Sequence, residues 1–183
     1  MTDYKFRVLL YADGSHQAFS AAVYTATLLK NMPNMHLTIV QVHERDEVSK
    51  GTEYSWIDTW PVSPTSEWMK HVLGESDAET KREYHEILAK TNEIFLNYSF
   101  KVKHQELYSN TSLSELSNTV DVILDYATKN SFELIVIGTR GLSSLKGLIF
   151  GSLAHNLLNK SVIPVLLIKK LPQTFIDSYL SNT

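Results

Sequence analysis

The chain has 183 residues, of which 43% are hydrophobic and 20% charged, a composition typical of one soluble globular domain with a full hydrophobic core. Its net charge of −3 and the lack of any basic block argue against a nucleic-acid partner. Cysteine is absent, which excludes disulfides, thiolate catalysis and cysteine-ligated metals and favours a cytoplasmic location. No apolar stretch approaches membrane-spanning length, so we expect no membrane partner.

The chain opens with a predicted strand and helix. The apolar run 6–12 ends at the turn Asp13-Gly14-Ser15, where Ser15 is expected to cap the following helix. That helix should end before Pro33, because the residue preceding a proline is pushed away from helical geometry. A second strand follows at 37–42. The carboxylate of Asp13 can accept hydrogen bonds from a ligand, or it can simply stabilise the turn and the helix start.

The middle of the chain departs from this regular alternation. Residues 43–75 contain all three tryptophans together with Pro61 and Pro64, which is too aromatic for a disordered linker. We therefore expect an irregular, ordered insertion there. An amphipathic helix is predicted over 76–98, and the alternating strand predicted at 100–107 is typical of a strand near a sheet edge.

The second half returns to alternating strands and helices. A capping-box pattern at 112–115 opens a helix, the run 134–137 reads as a buried strand, and a helix over 152–160 precedes a last strand at 162–168. Five strand–helix alternations predict an α/β fold, a doubly wound parallel sheet with helices on both faces. We expect one domain over 1–170 and a frayed tail over 171–183. Ligands bind such sheets beyond the carboxyl ends of the strands, where strand order reverses.

Glycines are concentrated directly after the fourth predicted strand. Four of the seven glycines fall within fourteen residues, at positions Gly138, Gly141, Gly147 and Gly151. Glycine allows the backbone to approach a ligand closely, and free N–H groups at a following helix start favour phosphate. Arg140 could clamp a phosphate, although a solvated surface arginine is the commoner case. Ordinary turns and a simple helix cap at Ser152 would account for the same residues without a ligand.

Signatures of catalysis and of protein-bound metal are weak. The sequence contains neither a Walker loop ending in Gly-Lys-Ser/Thr nor a Gly-x-Ser-x-Gly nucleophile elbow. Its seven histidines lack the spacing of metal ligands on one helix face. A magnesium ion carried by the phosphates of a nucleotide would need few protein ligands. The pattern favours a site that holds phosphates, without an evident general base to cleave them.

The motif Gly138-x2-Gly141-x9-Gly151-Ser152, with the turn at 13–15 and the last strand at 162–168, resembles the universal stress protein family over about 4–169. The resemblance is to the adenine-nucleotide-binding side of that family. It implies a five-stranded parallel sheet, a homodimer joined through the last strand, and a bound adenine nucleotide such as ATP, with magnesium.

The resemblance also implies roles for individual residues. The adenine end of the pocket would involve Asp13 and Val42, the ribose and phosphates would be lined by Gly138, Gly141 and Gly151, and Ser152 would bond a phosphate. The neighbours that would complete the pocket are Ala12, Ile137, Arg140 and Leu153. The chain departs from the family in having Ala12 before the aspartate, where Pro-Thr or similar residues are common. It also lacks a glycine-proline pair over 109–112, so no ligand contact is expected there.

Three functions follow from these residues. The first is a cytoplasmic, ATP-binding stress protein whose nucleotide occupancy regulates its state or partners. The second is an enzyme using the same pocket, a slow ATP hydrolase or a nucleotidyl-transfer protein. The third is a structural homodimer with a silent pocket, which the retained glycines Gly141 and Gly151 argue against.

Overall fold

Five strands alternate with helices along the described part of the chain. The computed structural model describes residues 4–13, 15–44, 82, 86, 89–91, 93–96, 101–109, 116–139 and 151–181. Described residues between 82 and 96 are helical. The remaining elements are β1 (Phe6–Tyr11), α1 (His16–Asn31), β2 (Met35–Glu44), β3 (Val102–Ser109), α2 (Leu116–Lys129), β4 (Leu134–Gly138), α3 (Ser152–Lys160), β5 (Val165–Ile168) and α4 (Gln173–Ser181).

The strands form one parallel sheet in the order β3-β2-β1-β4-β5. The chain adds strands in one direction up to β3 and then returns to the other side of β1 with β4. This reversal places the switch point between β1 and β4, where such sheets bind ligands. The predicted five-stranded parallel sheet is confirmed, and β3 lies at the edge, as its alternating pattern indicated.

Helices cover both faces of the sheet, because neighbouring residues of a strand point to opposite sides. Val8 and Leu10 of β1 pack into a core with α1, α4 and the helical residues Ile94 and Phe95. Leu9, between them in sequence, packs into a second core with α2 and α3. The doubly wound arrangement is therefore confirmed, with the two cores separated by the sheet.

The element ends follow local chemistry. The Ser15 hydroxyl accepts a hydrogen bond from the Ala18 N–H at 3.1 Å, which confirms the predicted cap, and α1 ends two residues before Pro33. The last strand begins at Val165, later than the predicted position 162. Pro164 has no N–H to donate, and the Ser161 hydroxyl bonds the backbone of Ile163 in a local turn instead.

The C-terminal segment contains a helix where a frayed tail was expected. The N–H of Leu171 donates to the Ser20 hydroxyl of α1 at 3.0 Å, and Ile176 of α4 is buried against the α1 side of the core. Ile176 is the one buried side chain among the nine residues of α4, which is too weak a periodic signal to predict the helix from the sequence. Packing against α1 nevertheless stabilises the helix.

Several expectations fall wholly or partly outside the described residues. They include the insertion beyond Glu44, the start of the helix predicted at 76–98, and the capping box at 112–115. The domain boundary at 170 stays a prediction. Within the described ranges, the helices are all too short or too polar to cross a bilayer.

His104 on the edge strand β3 makes the stability of the fold sensitive to acid. Burial lowers the pKa of its imidazole to about 4, from the ordinary value of 6.5. Between these values the unfolded chain binds a proton that the folded chain does not, so stability falls as pH drops from about 6.5 and levels off below about 4. We expect a loss of about 2–3 kcal/mol from this group.

The measurement is urea unfolding across pH 3.5–7.5, a range set by that shift. His104→Gln should remove most of the change in the free energy of unfolding between pH 4 and 6.5. His155→Gln, which removes a histidine from the exposed surface of α3, is the matched control. An unchanged slope in His104→Gln would show that the acid sensitivity arises elsewhere.

Candidate functional site

A small crevice lies at the carboxyl ends of β1 and β4, at the switch point of the sheet. Its volume is about 10 Å³, so only a group about the size of a water molecule fits between the described residues as they stand. The crevice is flanked by the first turns of α1 and α3, on opposite faces of the sheet. Its lining consists of Tyr11, Asp13, Ser15, Ala18, Ile137, Gly138, Leu153 and Ala154.

The two ends of the glycine motif meet beside this crevice. The N–H of Thr139 donates to the carbonyl of Ile168 at 2.8 Å, which ties the end of β4 to β5. The N–H of Gly151 then donates to the carbonyl of Thr139, also at 2.8 Å. The start of α3 is therefore anchored directly to the end of β4, although eleven residues separate Thr139 from Gly151 in the sequence.

The two helices that begin at the crevice differ at their first turns. In α1 a side chain accepts a hydrogen bond from a first-turn N–H group, and in α3 none does. At α1, the Ser15 hydroxyl accepts from the Ala18 N–H, and the Asp13 carboxylate accepts from the Ser15 N–H at 3.0 Å. At α3, the capping residue is Gly151, so no side chain is available at that position to accept from the first-turn amides. First-turn N–H groups have no intrahelical acceptor, and the helix dipole adds positive potential there. The α3 start is therefore the better anion-binding end.

Gly138 has a structural reason to be glycine. A Cβ built on it would lie 2.7 Å from the backbone carbonyl carbon of Gln17 and 2.9 Å from the backbone nitrogen of Ala18. Side-chain carbons are not found so close to backbone atoms, so only glycine lets α1 pack onto β4 at this point. From the sequence, the close approach at Gly138 was expected to come from a ligand. In the structure, the first turn of α1 is what packs closely against Gly138.

Some of the predicted site residues converge and others do not. Ala12 is buried, and its N–H donates to the carbonyl of Val40 at 3.1 Å, while Val42 packs into the core shared with α2 and α3. Among the described residues, neither of these two forms part of the crevice wall. Arg140 and Gly141 lie outside the described residues. The predicted residues at the crevice or its α3 edge are Asp13, Ile137, Gly138, Gly151, Ser152 and Leu153.

Four lining residues were not predicted as site residues, and one of them, Ser15, was expected only as the cap of α1. Ala18 stands three positions after Ser15 and so shares its side of α1, and Ala154 lies in the first turn of α3. Their small side chains at helix starts were an available signal. Tyr11 ends β1 and carries no local signal of its own, because strand-end tyrosines are ordinary sheet residues.

The chemistry of this arrangement is recognition of an anion beside a carboxylate. The open first turn of α3 can donate backbone hydrogen bonds to an anionic oxygen. Asp13 lies on the same crevice, where its carboxylate accepts hydrogen bonds. In the ranges that the structure describes, no three histidine, aspartate or glutamate side chains come together as a metal site.

Comparison with known proteins identifies a family that covers most of the chain. The family model described as the universal stress protein family matches residues 5–169. The stress response protein NhaX of Bacillus subtilis is 26% identical over 170 residues, which cover 89% of this chain and 97% of that protein. Universal stress protein MJ0531 of Methanocaldococcus jannaschii is 25% identical over 164 residues, covering 90% of this chain and 82% of that protein.

Solved structures share the fold at lower identity. A universal stress protein in complex with cAMP superposes with a TM-score of 0.57 at 18% identity, covering 93% of this chain and 100% of that one. The universal stress protein from Archaeoglobus fulgidus in complex with dAMP gives a TM-score of 0.50 at 18% identity, covering 92% and 100%. Both similarities independently support the parallel α/β sheet.

Proposed function

This chain belongs to the universal stress protein family, and from that premise we propose that it binds an adenine nucleotide, ATP with its magnesium, at the crevice between β1 and β4. Nucleotide occupancy would then regulate its state or its partners in a stress response. The observation that carries the proposal is the start of α3, where Gly151 leaves the first-turn amides without a side-chain cap.

Two further observations support an adenine nucleotide as the anion. The solved relatives in complex with cAMP and with dAMP both hold an adenine nucleotide. In this chain, the hydrogen bond from Gly151 to Thr139 holds the start of α3, where a phosphate would bind, beside the carboxyl end of β4. Sites at this position of a doubly wound sheet commonly hold nucleotides.

The proposal assigns roles to the described residues. Backbone amides at Ser152 and Leu153 would donate to a phosphate, with the Ser152 hydroxyl as an additional donor. Asp13 would accept hydrogen bonds from the nucleoside. The magnesium would be held mainly by the phosphates, since the ion retains several waters and needs few protein ligands. The crevice volume of about 10 Å³ is too small to enclose a nucleotide between the described residues as they stand.

Calorimetric titration of the purified protein with Mg-ATP tests the proposal. We expect saturable one-site binding and a rise in melting temperature with ATP concentration, because a ligand that binds only the folded state stabilises it. Acid extraction of the purified protein should release adenine nucleotide. No heat and no stabilisation at millimolar ATP would reject nucleotide binding.

A phosphate-release assay separates a regulator from an enzyme. A regulator should bind ATP and release less than one phosphate per protein over the assay. A hydrolase should release phosphate over many turnovers, and then the same crevice would have to supply transition-state stabilisation from positioned amides and magnesium. The cysteine-free composition supports a cytoplasmic setting for either activity.

We also propose a homodimer joined through the last strand. Among the described strands, β5 lies at an edge of the sheet and pairs only with β4, and its first three residues are partly exposed. Val162, just before β5, is 90% exposed, which is unusual for a large apolar side chain. A partner chain at this edge would cover both the backbone of β5 and the side chain of Val162.

Val162→Lys is expected to raise the dimer dissociation constant by about tenfold, because it would place a charge in an apolar contact. Sedimentation velocity over a concentration series measures the constant. Tyr108→Lys, at the opposite edge strand β3, changes another exposed apolar residue and should leave the constant unchanged. A monomer at all concentrations in the unsubstituted protein would exclude the dimer, and equal effects of the two variants would exclude this edge.

A further inference from the structure

A second and much larger cavity lies on the other side of α1, beneath the C-terminal helix. Its volume is about 380 Å³, within the range of small-molecule sites, whereas the crevice between β1 and β4 measures about 10 Å³. Residues of α1, α4 and the helical residues before β3 line it. Because α4 begins at Gln173 and the family model ends at 169, one wall of this cavity lies outside the family match.

The floor of the cavity is apolar. Phe19 of α1 is 8% exposed and Ile176 of α4 is 7% exposed, and both belong to the core on that face of the sheet. Ser20 also lines the floor, but its hydroxyl already accepts the Leu171 N–H at 3.0 Å. The floor therefore offers contact to the hydrocarbon part of a ligand.

The rim carries charges of both signs, and one of its two carboxylates is in an ion pair. The Asp177 carboxylate accepts from the Gln173 amide at 2.8 Å. Glu86 pairs with Arg82, with 3.7 Å between Arg82 Nε and Glu86 Oε1. By contrast, neither Lys90 nor Lys170 takes part in an ion pair with any described residue, and both side chains are on the rim. With Arg82 counted beside Glu86, three cationic side chains face two carboxylates, so the net charge here is +1.

We propose that this cavity binds a small amphipathic anion, a carboxylate with a short hydrocarbon chain. The hydrocarbon chain would lie on Phe19 and Ile176, and the carboxylate would lie between the ammonium groups of Lys90 and Lys170. A cation is disfavoured because Arg82, Lys90 and Lys170 together outnumber the two carboxylates of Glu86 and Asp177. A neutral alcohol of the same chain length would gain the apolar contact alone. The site is independent of the nucleotide crevice and shares no lining residue with it.

Octanoate and 1-octanol are matched probes for this site, since they share a chain length and differ in charge. Calorimetry on the full chain should show saturable octanoate binding, with 1-octanol weaker by about three- to tenfold, the effect expected of two partly solvated ion pairs. In the double variant Lys90→Gln/Lys170→Gln, octanoate should bind about as weakly as the alcohol. Lys169→Gln removes the neighbouring charge, which is not on the rim, and should bind octanoate like the unsubstituted protein.

Amide chemical shifts locate the binding. Octanoate should shift the backbone amide signals of Phe19 and Ile176. Saturating ATP should not displace the bound octanoate. The proposal is overturned by any of four results: no saturable octanoate binding at millimolar concentration, equal affinity for the alcohol, an unaffected double variant, or an equal loss in Lys169→Gln. Because the ligand and side chains differ, a failure of ATP binding at the crevice leaves these outcomes unchanged.

Discussion

Replacing Ser152 with aspartate is expected to lower the affinity for ATP by about 10- to 100-fold while the fold remains intact. The new carboxylate would lie in the first turn of α3, where the phosphates are proposed to bind, and like charges at contact distance repel strongly. The same carboxylate should stabilise the helix itself by about 0.3–1 kcal/mol, because an acidic side chain at a helix start complements the dipole. Lost affinity together with retained or increased stability is a result that simple unfolding cannot produce.

Calorimetry with Mg-ATP and urea unfolding of the same preparations measure both quantities. Asn159→Asp is the matched control, because it adds the same charge to the other end of α3 on an exposed position. It should leave the ATP affinity within about twofold and cost a few tenths of a kcal/mol in stability. If Ser152→Asp binds ATP as tightly as the unsubstituted protein, the phosphates do not lie at this helix start.

Replacing Gly138 with alanine is expected to lower the free energy of unfolding by about 1–3 kcal/mol. The added Cβ would lie 2.7 Å from a backbone atom of Gln17, so either α1 or β4 must shift. The neighbouring atoms belong to the first turn of a helix packed on the central sheet, and they cannot move aside as a flexible side chain would.

Urea unfolding compares Gly138→Ala with Gly151→Ala. The backbone of Gly151 has φ −63° and ψ 154°, values that any residue adopts, so alanine there should cost less than about 1 kcal/mol. An equal effect at the two positions would mean that α1 does not constrain Gly138. Close approach of a ligand, as the sequence suggested, would then be the better explanation for the glycine at position 138.

Much of the fold was predictable because the signals are local. The apolar run before Asp13, the serine that caps α1 and the proline that follows it are features of neighbouring residues, and the structure confirms each. Five such alternations leave few arrangements other than a parallel sheet covered on both faces. The beginning of β5 was predicted three residues early, because an apolar run does not reveal where backbone pairing starts.

The site was less predictable, because its features depend on which elements meet. That Gly138 faces α1 depends on packing between residues 120 positions apart, which glycine spacing does not report. The second strand was predicted to end at Val42 but continues to Glu44, and the Val42 side chain packs in the core instead of lining the crevice. The difference between the capped start of α1 and the open start of α3 was partly visible, since serine caps the first and glycine the second.

The central claim, a phosphate held by the first turn of α3, is tested most directly by following the backbone amides of Ser152 and Leu153 during titration with ATP. The account predicts saturable shifts at both amides, with the dissociation constant found by calorimetry, and much smaller shifts with adenosine, which has no phosphate. Amides that stay unperturbed at millimolar ATP, or that respond equally to adenosine, would contradict it.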